Sequence, residues 1–418
     1  LYREREGAIE PHLASALPIE VSPLQIRIPI RNGVLFHNGR KLQPTDVSAS
    51  LERLRVSEFG HLLAKVKAIS TEAEFVVLQL AVADSGLLKR LCDIHASITP
   101  KGRAPSWHRL VGTGPFRMLE RSDSRRELKL MVHEQYFAGR AYVDELRLQW
   151  SEKSDAEARR YETGGAHLSL RGDVAFAGHR PKYQSEKAQS VAKVLAFVGF
   201  GKANRIDSDS RFRQVVSAAI GRNGMSQIGS GELVVPSLAV SPRSVTTAEK
   251  MSARPDLARR LLAALQRFYP GQKMTTRSLD ILVNRSRPDD AIVAGRIAAA
   301  LFKIGVRARL TELRARTFAR RVREGQYDLY IGQLAPHSSS DDLLRAALVV
   351  SGKAALGKDS RLSPATLRRR FQAELPLVPL FHRALRADYR SDLHGVRFDG
   401  KGRLMFEELF FFGAPEKN

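Results

Sequence analysis

The side chains best suited to chemistry in this 418-residue chain do not assemble into a catalytic pattern. His133-Glu134 opens like a zinc-hydrolase helix, but Phe137 stands where the second histidine belongs. Gly112-Thr113-Gly114-Pro115 has the glycines of a phosphate loop, yet Pro115 removes an amide donor and no Lys-Ser/Thr follows. There is no Gly-x-Ser-x-Gly elbow. Cys92, the single cysteine, lies among Leu88, Leu91 and Ile94 and reads as a buried, inert thiol. One cysteine also excludes an internal disulfide framework and any multi-thiolate metal site. None of the eleven histidines falls in a metal-ligand spacing. The pattern argues against an enzyme, and no cofactor or metal is expected.

Charge is the unusual feature. Sixty-eight Lys and Arg stand against 44 Asp and Glu, a formal net charge of +24. Such a field favours acidic partners. The densest groups are Arg314, Arg316, Arg320, Arg321 and Arg323, then Arg368 to Arg370. Because the excess is spread along the chain, a solvated basic surface is the plainest reading, with an acidic partner or an anionic membrane surface as the alternative. No zinc finger, aromatic-interleaved RNA motif or basic heptad region occurs, so specific nucleic-acid binding is not expected.

Any candidate site needs elements to hold it. The length suggests two or three domains, and 43 % hydrophobic residues suffice for buried cores. No uncharged apolar run reaches the roughly 18 residues a membrane span needs. The chain opens at Leu1 and not Met, which reads as a processed, truncated or incomplete start. Residues 279–283 read as a buried strand. Pro288, Asp289 and Asp290 then open a helix that Gly305 stops. Val306, Ala308 and Leu310 alternate as a strand, a basic helix covers Arg316–Glu324, and Tyr327–Gly332 is a strand again. This alternation predicts an α/β unit with a largely parallel sheet. Earlier, Leu24–Ile30, Glu74–Leu80, Glu127–Val132 and Val143–Trp150 read as strands, and Pro44, Thr45 and Asp46 open a helix over Gln43–Arg55. That region reads as α+β with antiparallel pairing. Residues 222–256 read as a long surface connection and 335–362 as a second polar stretch.

Six strings carry a resemblance. Gly33-Val34-Leu35-Phe36-His37-Asn38-Gly39-Arg40, with Leu42, Asp46-Val47 and Ser50-Leu51, is the first. Val111 to Phe116, Tyr136 to Glu145, Asp209 to Gln214, Gly325 to Leu329 and Pro376 to His382 follow in order. Together they resemble the family 5 extracytoplasmic solute-binding proteins, the oligopeptide, dipeptide and nickel binders of ABC importers. The resemblance implies an α/β, two-lobed periplasmic-binding-protein-like fold with mixed sheets and a small α+β subdomain. Residues 1–12, 113–190 and 376–418 would form domain I, 13–112 the subdomain of the same lobe, and 191–375 domain II. It implies an extracytoplasmic protein, in the periplasm or as a membrane-anchored lipoprotein, that hands a peptide-like solute to an ABC permease.

The sequence departs from the family where ligand contacts are expected. Beyond Tyr327-Asp328-Leu329 the family's aromatic and proline-rich loop is replaced by Gly332-Gln333-Leu334 and Pro336-His337-Ser338-Ser339-Ser340-Asp341-Asp342. Gln333, His337, Ser338, Ser340, Asp341 and Asp342 follow a strand at its carboxyl end, where α/β folds place ligands, and are the candidate anchors. An acid there would pair with a peptide amino group; alternatively Asp342 caps a helix over Leu343–Val350. Phe200, placed on the facing lobe, is either a ligand wall or core. Two other functions fit the same fold. One is a degenerate solute-binding module reused for protein–protein or membrane-surface contact. The other is the ligand-sensing domain of a transcription regulator, because the sugar-phosphate-stress regulators carry strings like 112–116 and 136–145.

Overall fold

The structure, a computed structural model, describes every residue except 6–7, 103–109, 152–153, 172–174, 177–180, 183–184, 191–193, 203, 223–224, 226–233, 237–251, 272–273, 275, 335–339, 354, 356, 358, 360–361 and 413–418. Two lobes result, and the lobe that is built first is made of several small sheets. Strands β1 (Tyr2–Arg5) and β2 (Ala8–Pro11) pair with each other. Strands β3 (Ile19–Ser22), β4 (Gln25–Pro29), β5 (Val66–Glu72) and β6 (Phe75–Leu80) form an antiparallel sheet in the order β3-β4-β6-β5. Helix α1 (Pro44–Val56) packs on this sheet. It starts as the sequence predicts: Pro44 sits in the first turn, and Asp46 accepts the Gln43 backbone N–H at 2.9 Å. Val47, Leu51 and Leu54 fall on its buried face.

A short helix α2 (Leu87–Leu91) closes this subdomain. Strands β7 (Phe116–Ser122), β8 (Glu127–Val132) and β9 (Glu145–Gln149) then form an antiparallel sheet. Helix α3 (Ser154–Glu162) leads to β10 (Leu168–Ser169) and β11 (Ser185–Gln189).

The second lobe is one three-layer unit. Its strands are β12 (Val194–Phe200), β13 (Val234–Pro236), β14 (Ser278–Asn284), β15 (Arg307–Leu313), β16 (Leu329–Leu334) and β17 (Leu377–Arg383), in the sheet order β13-β17-β12-β16-β14-β15. Helices α4 (Ser210–Ala219), α5 (Pro255–Phe268) and α6 (Pro288–Phe302) cover one face around Phe212, Leu262, Ile281 and Ile297. Helices α7 (Ala315–Glu324), α8 (Ser340–Val350) and α9 (Pro364–Glu374) cover the other around Phe318, Tyr330, Leu344 and Phe371. Val293, Ile297 and Leu301 of α6 are fully buried, each contributing roughly 1.5–3 kcal/mol of transfer free energy. The alternation read from residues 279–332 is present, and β14 pairs in parallel with β15 and β16. The sheet as a whole is mixed because β12 and β13 run opposite to the other four strands. Residues 222–256 were expected to be connection throughout, yet Val234–Pro236 pairs with β17, and the described part ends at the start of α5.

Two cross-strand pairs fix the centre of this sheet. Phe197 lies opposite Gly332, and Tyr330 lies opposite Gly199. A Cβ on either glycine would fall on the ring across from it, so the glycines leave the space the aromatic rings fill. The rings themselves meet edge to face, with centroids 5.6 Å apart.

The return to the first lobe comes later than the expected boundary at residue 376. Strand β17 belongs to the six-stranded sheet, because its register with β12 runs from Val194↔Arg383 to Gly199↔Leu377. Only with β18 (Arg386–Arg390), inserted between β10 and β11, does the chain rejoin the first lobe.

Candidate functional site

The two lobe crossings meet at Ser190 and Leu385. One lies between β11 and β12, the other between β17 and β18. The Ser190 backbone N–H donates to the Leu385 carbonyl at 2.9 Å, and the Leu385 N–H donates to Ser190 Oγ at 2.8 Å. Paired crossings of this kind concentrate backbone rotation in a few residues while both lobes stay rigid.

Next to these crossings lies the carboxyl end of the central strands. Strands β14, β16 and β17 all point the same way, so Asn284, Gln333 and Arg383 share one end of the sheet. The turn after β14 brings the first residues of α6 to this end, with the Ser286 N–H bound to Asn284 Oδ1 at 3.0 Å. Arg383 Nη2 donates to Asp289 Oδ2 at 2.9 Å, and both side chains are buried. Gln333 Nε2 donates to Asp290 Oδ1 at 3.4 Å, while Arg287 Nη1 lies 3.4 Å from Asp290 Oδ2. That Oδ2 atom is buried and accepts no hydrogen bond among the described residues. Burial pushes the Asp290 carboxyl up to about 6, against the pull of Arg287 and Arg383. A dry carboxylate oxygen with one guanidinium beside it but no hydrogen bond still has room to accept from a cationic or N–H-bearing guest.

The first lobe reaches the same turn. Arg171 Nη1 donates to the Ser286 carbonyl at 3.1 Å, and Arg171 Nη2 donates to Glu157 Oε2 at 2.6 Å. Glu157 also accepts from the buried Ser169 Oγ at 3.0 Å. The guanidinium is therefore held against the second lobe from α3 and β10.

The anchors named from sequence separate into three groups. Gln333 sits in the carboxyl-end cluster. His337 and Ser338 lie outside the described residues, and Ser340 and Asp341 are placed only as the first helical residues of α8. Asp342 is 2 % exposed, and its Oδ1 lies 3.3 Å from Nη1 of Arg90 in the first lobe. Arg90 in turn pairs with Asp84 and donates to the Leu62 carbonyl at 2.7 Å. Asp342 is thus spent on an ion pair between the lobes.

Phe200 needs a correction on two counts. It is not on a facing lobe but in β12 of the same sheet as Gln333. Its register partner is Leu329 whereas that of Gln333 is Ala196. Four residues of strand put Phe200 at the far end of the sheet, about 13 Å away, packed edge to face on Phe212.

Asp289, Asp290, Arg383 and Arg171 were not singled out as anchors. The two acids were read only as helix-start residues. They follow strand β14 at its carboxyl end, the same criterion that selected Gln333, and that signal was available. Arg171 and Arg383 carry no local signal, because only the crossing of two lobes brings them to Ser286 and Asp289.

Cavities of about 660 and 740 Å³ lie inside the first lobe, and neither Gln333 nor Asp290 nor Asp342 lines them. The smaller is bordered by Tyr2, Cys92 and Tyr136. The larger separates β9 from β10 beneath α3. Cys92 is 2 % exposed, and burial raises its thiol above the usual range.

Residues 8–354 match the family described as bacterial extracellular solute-binding proteins, family 5 Middle. The chain belongs to that family. Among solved structures, NikA from Staphylococcus aureus in complex with Ni(L-His)2 superposes with a TM-score of 0.80 at 13 % identity, covering 99 % of this chain and 93 % of that one. The dipeptide-binding protein from Pseudoalteromonas sp. SM9913, in complex with Met-Leu, gives 0.79 at 16 %, covering 98 % and 94 %. These likenesses establish the two-lobed fold. In sequence, the HTH-type transcriptional regulator SgrR of Pectobacterium atrosepticum is 30 % identical over 154 residues. That match takes in 35 % of this chain and 26 % of the regulator, so the chain spans about a quarter of that relative's length. No described helix is long and apolar enough to cross a membrane.

Proposed function

We propose that this solute-binding protein captures a peptide-like ligand bearing a free amino group between its lobes and presents it, outside the cytoplasm, to an ABC permease. The reading rests on one observation: a buried Asp290 oxygen that accepts no hydrogen bond among the described residues and has only the Arg287 guanidinium 3.4 Å away, near Gln333, at the carboxyl end of the sheet and next to the paired crossings. An ammonium group supplies the donors that oxygen lacks, and burial makes such a charge-assisted bond strong. Gln333 orients the carboxylate. Arg171 supplies a contact from the other lobe, so that closure and binding are coupled. The Pseudoalteromonas relative's dipeptide supports the ligand class, and the family supports the location and the permease partner.

Titration calorimetry with Met-Leu and a pool of tri- to pentapeptides, each free and N-acetylated, tests this. Free peptides should bind and acetylated ones should not. Asp290→Asn should weaken binding about ten- to a hundredfold with little change in fold, since the amide keeps the shape but not the charge. If no free peptide binds, or if acetylated peptides bind equally well, the ligand class is wrong.

A further inference from the structure

The basic excess is not shared evenly. Residues 191–383, the second lobe, hold 33 Lys and Arg against 15 Asp and Glu. The remaining residues hold 35 against 29. Three quarters of the net charge, +18 of +24, therefore sits on fewer than half of the residues.

Within that lobe the charge gathers on one outer face. Strand β15 is the last strand of the six-stranded sheet and, among the described residues, pairs only with β14. Arg307 and Arg309 are exposed on it, two residues apart and hence on the same face of the strand. Arg309 Nε lies 3.8 Å from Asp280 Oδ1, and Arg321 Nη2 of α7 lies 3.7 Å from Asp280 Oδ2. The shared carboxylate places the β15 row directly beside α7. On α7, Arg316, Arg320 and Arg323 are exposed at helical spacing, and Phe318 is the buried side chain that seats the helix. Arg320 is met only distantly by Glu324, at 3.9 Å. Among the described residues no carboxylate pairs with Arg307, Arg316 or Arg323. Charges on an edge strand commonly serve to block sheet–sheet aggregation, and Arg307 with Arg309 meets that need. The stripe on α7 is left without such a purpose.

We infer that the α7–β15 face of the second lobe docks on an anionic phospholipid surface. Guanidinium groups bind phosphate oxygens through paired N–H donors, and several at once give an attraction that single lysines do not. A protein of an extracellular family meets dense phosphate chiefly as lipid headgroups. Nucleic acid is the weaker fit, because no aromatic residue is exposed among these arginines to stack on bases. The face is independent of what the cleft binds, and it gives the lobe a fixed orientation toward a membrane-embedded permease.

Vesicle co-sedimentation of the full chain tests the inference. Vesicles of phosphatidylcholine alone are compared with vesicles carrying about 30 % phosphatidylglycerol, at roughly 50 and 500 mM NaCl. Binding should require phosphatidylglycerol and fall at least about tenfold at the higher salt. Arg316→Glu/Arg320→Glu/Arg323→Glu should lose about tenfold or more. The matched reversal in the first lobe, Arg125→Glu/Arg147→Glu/Arg159→Glu, should change binding less than about twofold. Circular dichroism of both variants checks that they fold. The inference is overturned by absence of phosphatidylglycerol-dependent binding or by equal loss in the two variants. Tighter binding to a duplex oligonucleotide than to vesicles at matched phosphate and salt would overturn it too, giving the face to nucleic acid.

Discussion

The two lobes solve the same problem in different ways. In the second, a six-stranded sheet is sandwiched between two helical layers, so every central strand is buried on both faces: β14 and β17 read as nearly unbroken runs of buried residues. The first lobe divides its strands among small sheets: β7 and β9 mix exposed and half-buried residues, and β8 is half-buried over most of its length. Leu119 stays 52 % exposed, and the 740 Å³ cavity borders Leu146 and Leu148. A sheet covered on two sides makes stable ends on which polar groups can be held in place, and the carboxyl-end cluster of Asp289, Asp290, Gln333 and Arg383 stands on such ends. The first lobe offers instead single long side chains, Arg90 and Arg171, that reach across.

This contrast can be tested by its energetics, beginning with the core. Phe212→Ala should destabilise the second lobe by about 3–5 kcal/mol in urea unfolding, because the residue is fully enclosed. Leu148→Ala should cost less than about 1.5 kcal/mol, since its side chain already borders open space. Equal losses would end the distinction. Next is the bridge between lobes. Arg90→Met leaves Asp342 and Asp84 buried without their guanidinium and should cost about 3 kcal/mol, splitting a single unfolding transition into two with the first lobe melting earlier. Adding Asp342→Leu should restore part of the loss. A single sharp transition in Arg90→Met would show that the lobes are tied elsewhere.

The lobes should also respond oppositely to pH. Asp290 rises from 3.8 to about 6 on folding, so between those values the folded state holds more proton than the unfolded chain. Its effect is to lower stability as pH rises through that window. His12, buried in the first lobe, drops from 6.5 to about 4, chiefly through burial. There the unfolded chain holds more proton, and stability is lost as pH falls from 6.5 toward 4. Asp290→Asn should therefore gain on the order of 2 kcal/mol at pH 7 relative to pH 4, and His12→Gln should flatten the acid-side loss by a similar amount. Parallel shifts in both variants would contradict the assignment. The smallest effect belongs to local capping. Asp209 accepts the Arg211 backbone N–H at 2.8 Å and the Tyr269 hydroxyl at 3.0 Å, so Asp209→Ala should cost about 1–2 kcal/mol. Asp155→Ala, which breaks only an exposed pair with Arg159 on α3, should change thermal stability by less than about 0.5 kcal/mol.

Much of this architecture is written locally. Pro44 with Asp46, and Pro288 with Asp289 and Asp290, start helices where they stand, and Gly325 ends α7 in a left-handed turn with φ of 73°. Alternation and apolar runs set the strands of residues 279–332, and the six ordered strings are enough to identify the family. These features depend on neighbours within a few residues, which is the range over which backbone sterics, capping and periodicity act. The position of Gln333 near the end of a strand is legible for the same reason.

What the sequence left open are the properties set by distant segments meeting. The antiparallel insertion of β12 and β17 between β13 and β16 places Phe200 at the opposite end of the sheet from Gln333, although the residue types alone allow either placement. Asp342 faces Arg90 across 252 positions of sequence, and Arg171 meets Ser286 across 115. Whether an acid is a ligand anchor or an internal bridge depends on which cation burial brings to it. A buried carboxylate must be neutralised or paired, and only the folded chain determines by what.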